Sequence, residues 1–239
     1  MNKLLLSASL ALICAGSAQA ASLTRSAAVA PQANAPAAAC PTGPGFLTYN
    51  TDCKPVGGTV ACADQATPQT TNDNSYYRRY VLSPSSPPNV QISTVRLGIE
   101  AASGAPAGLM AKLYTIPNGA PFLLANLTPI GSAAIPVAAG DALTEVVVTI
   151  SPAAVVDTPA TKNIVVELFE PDFAGATTTT AVFLGSNATG AGITYLRSTE
   201  CGLAEPTDIA SIGAFGNVKI IASLAGAGLP VELQDYKVD

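Results

Sequence analysis

The chain has 239 residues, with 11 Lys and Arg, 16 Asp and Glu, no histidine, no tryptophan and a formal net charge of −5. Without histidine there is no Ser-His-Asp triad, no Cys-His dyad and no His-ligated zinc. The acidic balance argues against nucleic acid and against anionic membrane surfaces as partners.

The N-terminus reads as a targeting segment. Lys3 is the only charge before Arg25, Leu4 to Ala15 form an apolar run, and Ala18-Gln19-Ala20 is a small-x-small cleavage site. This pattern predicts a secretory signal peptide over residues 1–20. Cys14 follows Ala11-Leu12-Ile13, which does not make a lipoprotein site. No later stretch reaches the roughly 18 uninterrupted apolar residues of a spanning helix, so no membrane span is expected after cleavage. The expected location is extracellular, on the cell surface or in the periplasm.

Residues 21–39 are Ala-rich, carry Pro31, Pro36 and a single charge at Arg25, and show neither period nor cap. They predict a flexible leader. Residues 40–72, with three cysteines and four glycines, predict short strands or turns pinned by sulfur bridges. Cys40, Cys53, Cys62 and Cys201 survive cleavage, and an even number in an exported chain predicts two disulfides. Three pairings remain open on count alone.

Residues 73–239 are expected to form a β-sandwich domain. Val95, Leu97 and Ile99 alternate with polar neighbours, whereas Val90 and Ile92 have the opposite parity. A β-bulge near Ser93-Thr94 reconciles the two halves. Period-two runs recur at Leu109–Tyr114, Glu145–Ile150, Ile164–Phe169 and Val218–Leu224. Turn signals lie between them at Pro117-Asn118-Gly119, Ala139-Gly140-Asp141, Pro171-Asp172 and Gly185-Ser186-Asn187. No segment shows a helical stripe with caps. The fold class expected is all-β: a single jelly-roll-like β-sandwich with short loops and disulfides.

Several motifs carry a resemblance. Asp73-Asn74-Ser75-Tyr76-Tyr77-Arg78-Arg79-Tyr80 opens the domain. Gly185-Ser186-Asn187, Ile193-Thr194-Tyr195-Leu196, Glu200-Cys201-Gly202, Glu205-Pro206-Thr207-Asp208 and Ile212-Gly213 follow later. Together they resemble a β-sandwich module of exported bacterial proteins. In that module an Asn-Ser-Tyr-aromatic-Arg strand opens the sandwich and a Ser-Asn…Tyr-Leu…Cys-Gly…Pro-Thr-Asp segment closes it. The module occurs beside secreted peptidases and in surface proteins. The resemblance covers about residues 60–225 and implies fold and export, but no activity. It also implies that Cys62 bonds Cys201, leaving Cys40 with Cys53. This chain has Tyr77 where tryptophan is common in the module. Leu229-Pro230-Val231-Glu232-Leu233-Gln234 resembles a short closing strand.

Candidate site residues follow from chemistry. Arg78 shares strand parity with Tyr76, Tyr80 and Leu82, the apolar face, and a buried guanidinium needs a carboxylate. Asp73, Glu100, Glu205 and Asp208 are the expected partners; the alternative is an Arg that grips an acidic ligand. The same four acids are the candidate ligands of a structural calcium ion, although no DxDxDG loop is present. Tyr77 and Tyr195, with Tyr76, Tyr80 and Phe183, are candidates for stacking on sugars. Glu167 and Glu170 stand three apart and so lie on opposite strand faces, unsuited to paired glycosidase chemistry. Ser186 lacks the second glycine of a nucleophile elbow and reads as a turn residue. The Asn126 and Asn187 sequons are expected in surface loops.

The function expected is a secreted, non-catalytic β-sandwich module that binds or scaffolds an extracellular ligand or surface component. The alternative is a carbohydrate-binding module with structural calcium. A carboxylate-only glycoside hydrolase is the third reading.

Overall fold

The period-two runs become strands stacked in two layers. The structure is a computed structural model that describes residues 21–26, 39–64, 69–84, 86–175 and 179–229. The expected signal peptide and the chain beyond Leu229 lie outside the described residues. The strands are β1 (Ser22–Arg25), β2 (Phe46–Thr48), β3 (Val60–Ala63), β4 (Asn74–Tyr80), β5 (Val90–Ser103), β6 (Met110–Pro117) and β7 (Thr128–Ala134). They continue as β8 (Ala142–Val156), β9 (Lys162–Glu170), β10 (Ala181–Asn187), β11 (Thr194–Ser198), β12 (Leu203–Asp208), β13 (Lys219–Ile220) and β14 (Ala222–Ala225). Two single 3-10 turns, Leu124–Asn126 and Ile209–Ser211, complete the regular structure of the described residues. Among the described residues no helix is long and apolar enough to cross a membrane.

The protein is an all-β sandwich. One six-stranded sheet runs β13-β10-β5-β14-β2, with β8 along the other edge of β5. The second six-stranded sheet runs β12-β11-β4-β9-β6-β7. Pairing is antiparallel throughout both. The inner faces meet in one apolar core. Val95, Leu97, Ile99, Val182, Leu184 and Leu224 come from the first sheet, and Tyr76, Leu113, Ile164, Val166, Leu168 and Leu196 from the second. Alternation thus places every second side chain inside, as a half-buried antiparallel sheet requires. The β5–β8 register shifts between Ile92 and Thr94, where the sequence changes parity. The bulge lets Val90 and Ile92 return to the same core as Val95.

Three sequence expectations need correction. The alternating run Val218–Leu224 is not one strand. It splits at Ile221 into β13 on β10 and β14 on β5, because β10 and β14 share one side of β5 at successive positions. Gly185-Ser186-Asn187 is not a turn but the end of β10, buried under residues 52–56. Val56 N donates to Ser186 O at 2.9 Å, and Asn187 Nδ2 donates to Asp52 O. The acceptor of this sequon, Asn187, is therefore buried at the end of a strand, and only Ala188 and Thr189 lie in the exposed loop beyond it. Gly185 pairs with Gly98, and Pro55 lies on both. A Cβ at Gly185 would stand 2.7 Å from the Gly98 backbone, so this notch admits only glycine.

The third correction concerns the first residues of the leader; its stretch 27–38 lies outside the described residues. Ser22–Arg25 pairs antiparallel with β3, and Leu23 packs on the core. Arg25 donates to Gly58 O at 2.8 Å, to Ala214 O at 2.6 Å and to Asn217 Oδ1 at 3.1 Å, and it lies over the Phe215 ring. Weak periodicity hid this strand because its pairing partners are distant in sequence. The segment 40–72 likewise does more than precede the sandwich, since β2 extends the first sheet beside β14. Of the three pairings open to four cysteines, the structure closes Cys40–Cys53 and Cys62–Cys201.

Candidate functional site

The outer face of the second sheet gathers the polar and aromatic side chains that alternate with its core residues. Strand register aligns them. Asp208 faces Tyr195, Tyr195 faces Tyr77, Tyr77 faces Glu167, Glu167 faces Lys112, and Lys112 faces Ser132. Directly opposed residues project to the same side, so one row crosses all six strands.

Glu167 is the centre of the row. Its Oε1 accepts from Ser75 Oγ at 2.8 Å and from Lys112 Nζ at 3.2 Å, and its Oε2 accepts from Tyr114 OH at 2.6 Å. Burial, and after it the hydrogen bond to Glu167, pushes the Tyr114 phenol well above its ordinary value. Burial, then the Glu167 charge, does the same to Tyr77. Both phenols therefore remain protonated donors. Lys112 also stands 3.8 Å from the centre of the Phe169 ring, a cation–π contact. With both oxygens engaged, Glu167 is a fixed acceptor rather than a free base.

The loop between β6 and β7 covers one end of the row. Phe122 stacks on Tyr195 at 4.3 Å between ring centres and meets Tyr77 edge-on at 5.9 Å. Leu124 N donates to Glu205 at 2.8 Å, which pins this loop to β12. At the other end, Lys112, Tyr114 and Pro129–Ser132 line an open, shallow cavity of about 290 Å³.

The two tyrosines expected to bind are thus brought together, but Tyr77 is buried under Phe122 and only Tyr195 reaches solvent. Arg78 is separated from them. It points into the core on the opposite face of β4, where it meets none of the acids expected to pair with it; no salt bridge among the described residues includes it. Tyr76 and Tyr80 are core residues whose phenols donate to Val60 O at 2.7 Å and Ala222 O at 2.6 Å. Phe183 is buried against Ala61 and Ala181.

The four acids do not form a calcium cage. Asp73 accepts from Ser198, Thr199 and Glu200. Glu100 accepts from Ser26 Oγ, Gly58 N and Thr59 N. Glu205 holds Leu124 N, and Asp208 accepts from Ala210 N at 2.9 Å, capping the 3-10 turn. Among the described residues no group of three or more His, Cys, Asp or Glu converges. Each carboxylate instead ties one loop, because loop backbone N–H groups in reach are its nearest donors.

Glu167 and Glu170 lie on opposite faces of β9, as their spacing requires. Glu170 is enclosed. Thr71 Oγ1 donates to its Oε1, while among the described residues no well-formed hydrogen bond reaches its Oε2. Burial raises its pKa well above the ordinary carboxylate value, against the lowering effect of Thr71, Asn74 and Val182 N; the neighbouring charge of Asp73 adds to the rise. Above its unfolded pKa the unfolded chain releases this proton while the folded chain keeps it. Stability is therefore lost as pH rises through the folded pKa. Glu170→Gln is expected to match the native protein near pH 4 and to exceed it by about 1–3 kcal/mol at pH 8. Thermal melts across pH check this; parallel curves would disprove it.

Sequence reasoning missed Lys112, Tyr114 and Phe122. The first two were visible as the outward members of an alternating strand, but only register shows which carboxylate they meet. No known family model matches this chain, and no curated protein or solved structure matches it either.

Proposed function

We propose that the protein is an exported, non-catalytic β-sandwich module that binds outside the cytoplasm through the outer face of its second sheet. The observation that carries this reading is the row Tyr195–Tyr77–Glu167–Lys112, aligned by register on one face. The N-terminal targeting pattern and two disulfides support export. The ligand favoured is a polysaccharide. Tyr195 with stacked Phe122 offers a half-buried aromatic surface, and the cavity beside Lys112 and Tyr114 adds fixed polar groups. This reading requires no calcium.

The test is retention of the purified protein on a panel of insoluble and soluble polysaccharides. Tyr195→Ala and Lys112→Ala are each expected to weaken retention about tenfold, the loss of roughly 1.4 kcal/mol of contact energy. Tyr77→Ala is unsuitable because that ring is buried. Retention by none of the polysaccharides, or retention indifferent to both substitutions, would overturn the reading.

A further inference from the structure

Arg78 is the bulkiest fully buried side chain of the described residues and has no carboxylate beside it. Its Nη1 donates to Thr194 Oγ1 at 3.1 Å and its Nη2 to Ala191 O at 2.8 Å, the Tyr80 phenol lies beside it, and among the described residues its Nε has no hydrogen-bond partner. The guanidinium faces the Tyr49 ring at 5.8 Å. A second cation approaches the same loop, for Lys219 Nζ donates to Gly192 O at 3.2 Å. Burial and then the Arg78 charge lower the Lys219 pKa; Asp208 acts in the opposite sense. Two cations thus rest on the consecutive carbonyls of Ala191 and Gly192, both exposed residues. Thr194 Oγ1 accepts from Arg78 and from Ile220 N, so its own hydroxyl proton is left to donate.

Buried charges are ordinarily paired, and neutral carbonyls are weaker partners than charged oxygens. We propose that Arg78, Lys219 and Thr194 form a site for an oxyanion, the carboxylate or phosphate group of an extracellular ligand, whose oxygens replace the Ala191 and Gly192 carbonyls. Arg78 supplies the fork that suits two oxygens of one group. Lys219 supplies a point charge at the rim, and Thr194 a third donor. Displacement of the exposed loop at Ala191–Ile193 admits the group. The site is separate from the outer row, since Arg78 projects to the opposite face of β4.

Thermal melting of the full chain at constant ionic strength tests this, with inorganic phosphate and galacturonate as separate probes against chloride. A saturable rise in Tm with either probe is expected, and the responding probe identifies phosphate or carboxylate as the group. Lys219→Gln, a rim substitution, is expected to raise the half-saturating concentration at least tenfold, and Arg78→Lys to do the same by removing the fork. Tyr195→Ala is expected to leave the response unchanged, which separates this site from the polysaccharide surface. No response to either probe would overturn the proposal. So would a non-saturating rise, or a rise unaltered in Lys219→Gln, which would mean an adventitious ion only.

Discussion

The double substitution Cys62→Ala with Cys201→Ala is expected to lower folding stability by about 5 kcal/mol, the chain-entropy figure for a loop of this size. The bond joins β3 to the turn between β11 and β12 across 139 residues, so eight of the twelve strands of the two six-stranded sheets, β4 to β11, lie within the closed loop. The same bookkeeping gives about 3 kcal/mol for the Cys40–Cys53 bond, which spans 13 residues. Urea unfolding of the oxidised protein and both double variants checks the order as well as the size. At this chain length the larger loss corresponds to a fall in Tm of roughly 10–20 °C. A loss below about 1 kcal/mol would instead show that Asp73, bonded to Ser198 and Thr199, holds the closing turn unaided.

Glu100→Ala is expected to cost about 2–5 kcal/mol and to release β1. The carboxylate is fully buried, and among the described residues no salt bridge includes it. It is held by Ser26 Oγ and by two backbone donors, Gly58 N and Thr59 N, each at 2.9 Å. Removing it leaves the buried Thr59 N without its acceptor, leaves Gly58 N only its 3.1 Å bond to Ser26 Oγ, and breaks the link from the first strand to β5. Limited trypsin digestion reads the second effect, because the Arg25–Ser26 bond is protected only while β1 is docked. Rapid cleavage there in the variant, with slow cleavage in the native protein, is the expected result. Equal rates would show that the Arg25 contacts to Gly58, Ala214 and Asn217 suffice.

The layer architecture was legible in the sequence because sandwich strands write their burial as strict alternation. Even the bulge at Ile92–Thr94 was visible as a parity change. What alternation cannot express is the content of the second face. Val165 and Glu167 are as buried as the core residues beside them, because the loop bearing Phe122 and the neighbouring strands cover them. Nor does a local pattern reveal non-local docking. Gly185-Ser186-Asn187 has turn composition, yet the ends of its hydrogen bonds lie at residues 52–56. Arg78 was correctly placed on the apolar face by parity, but its partner was misjudged. The expectation that a buried cation meets an acid is a rule of energetics, and this chain departs from it.

The docked first strand also bears on how the protein is best produced. A recombinant chain trimmed to residue 40, on the view that everything before the first cysteine is dispensable, would lose β1 and the Ser26 hydroxyl together. The vacated edge of β3, with Val60 and Cys62 along it, would then offer unpaired backbone to any extended chain. Poor yield or self-association of such a product would reflect the missing strand rather than an unstable sandwich. A tag on the N-terminal side is accordingly best set before Ala21 with a spacer, leaving Ser22 to Ser26 free to dock.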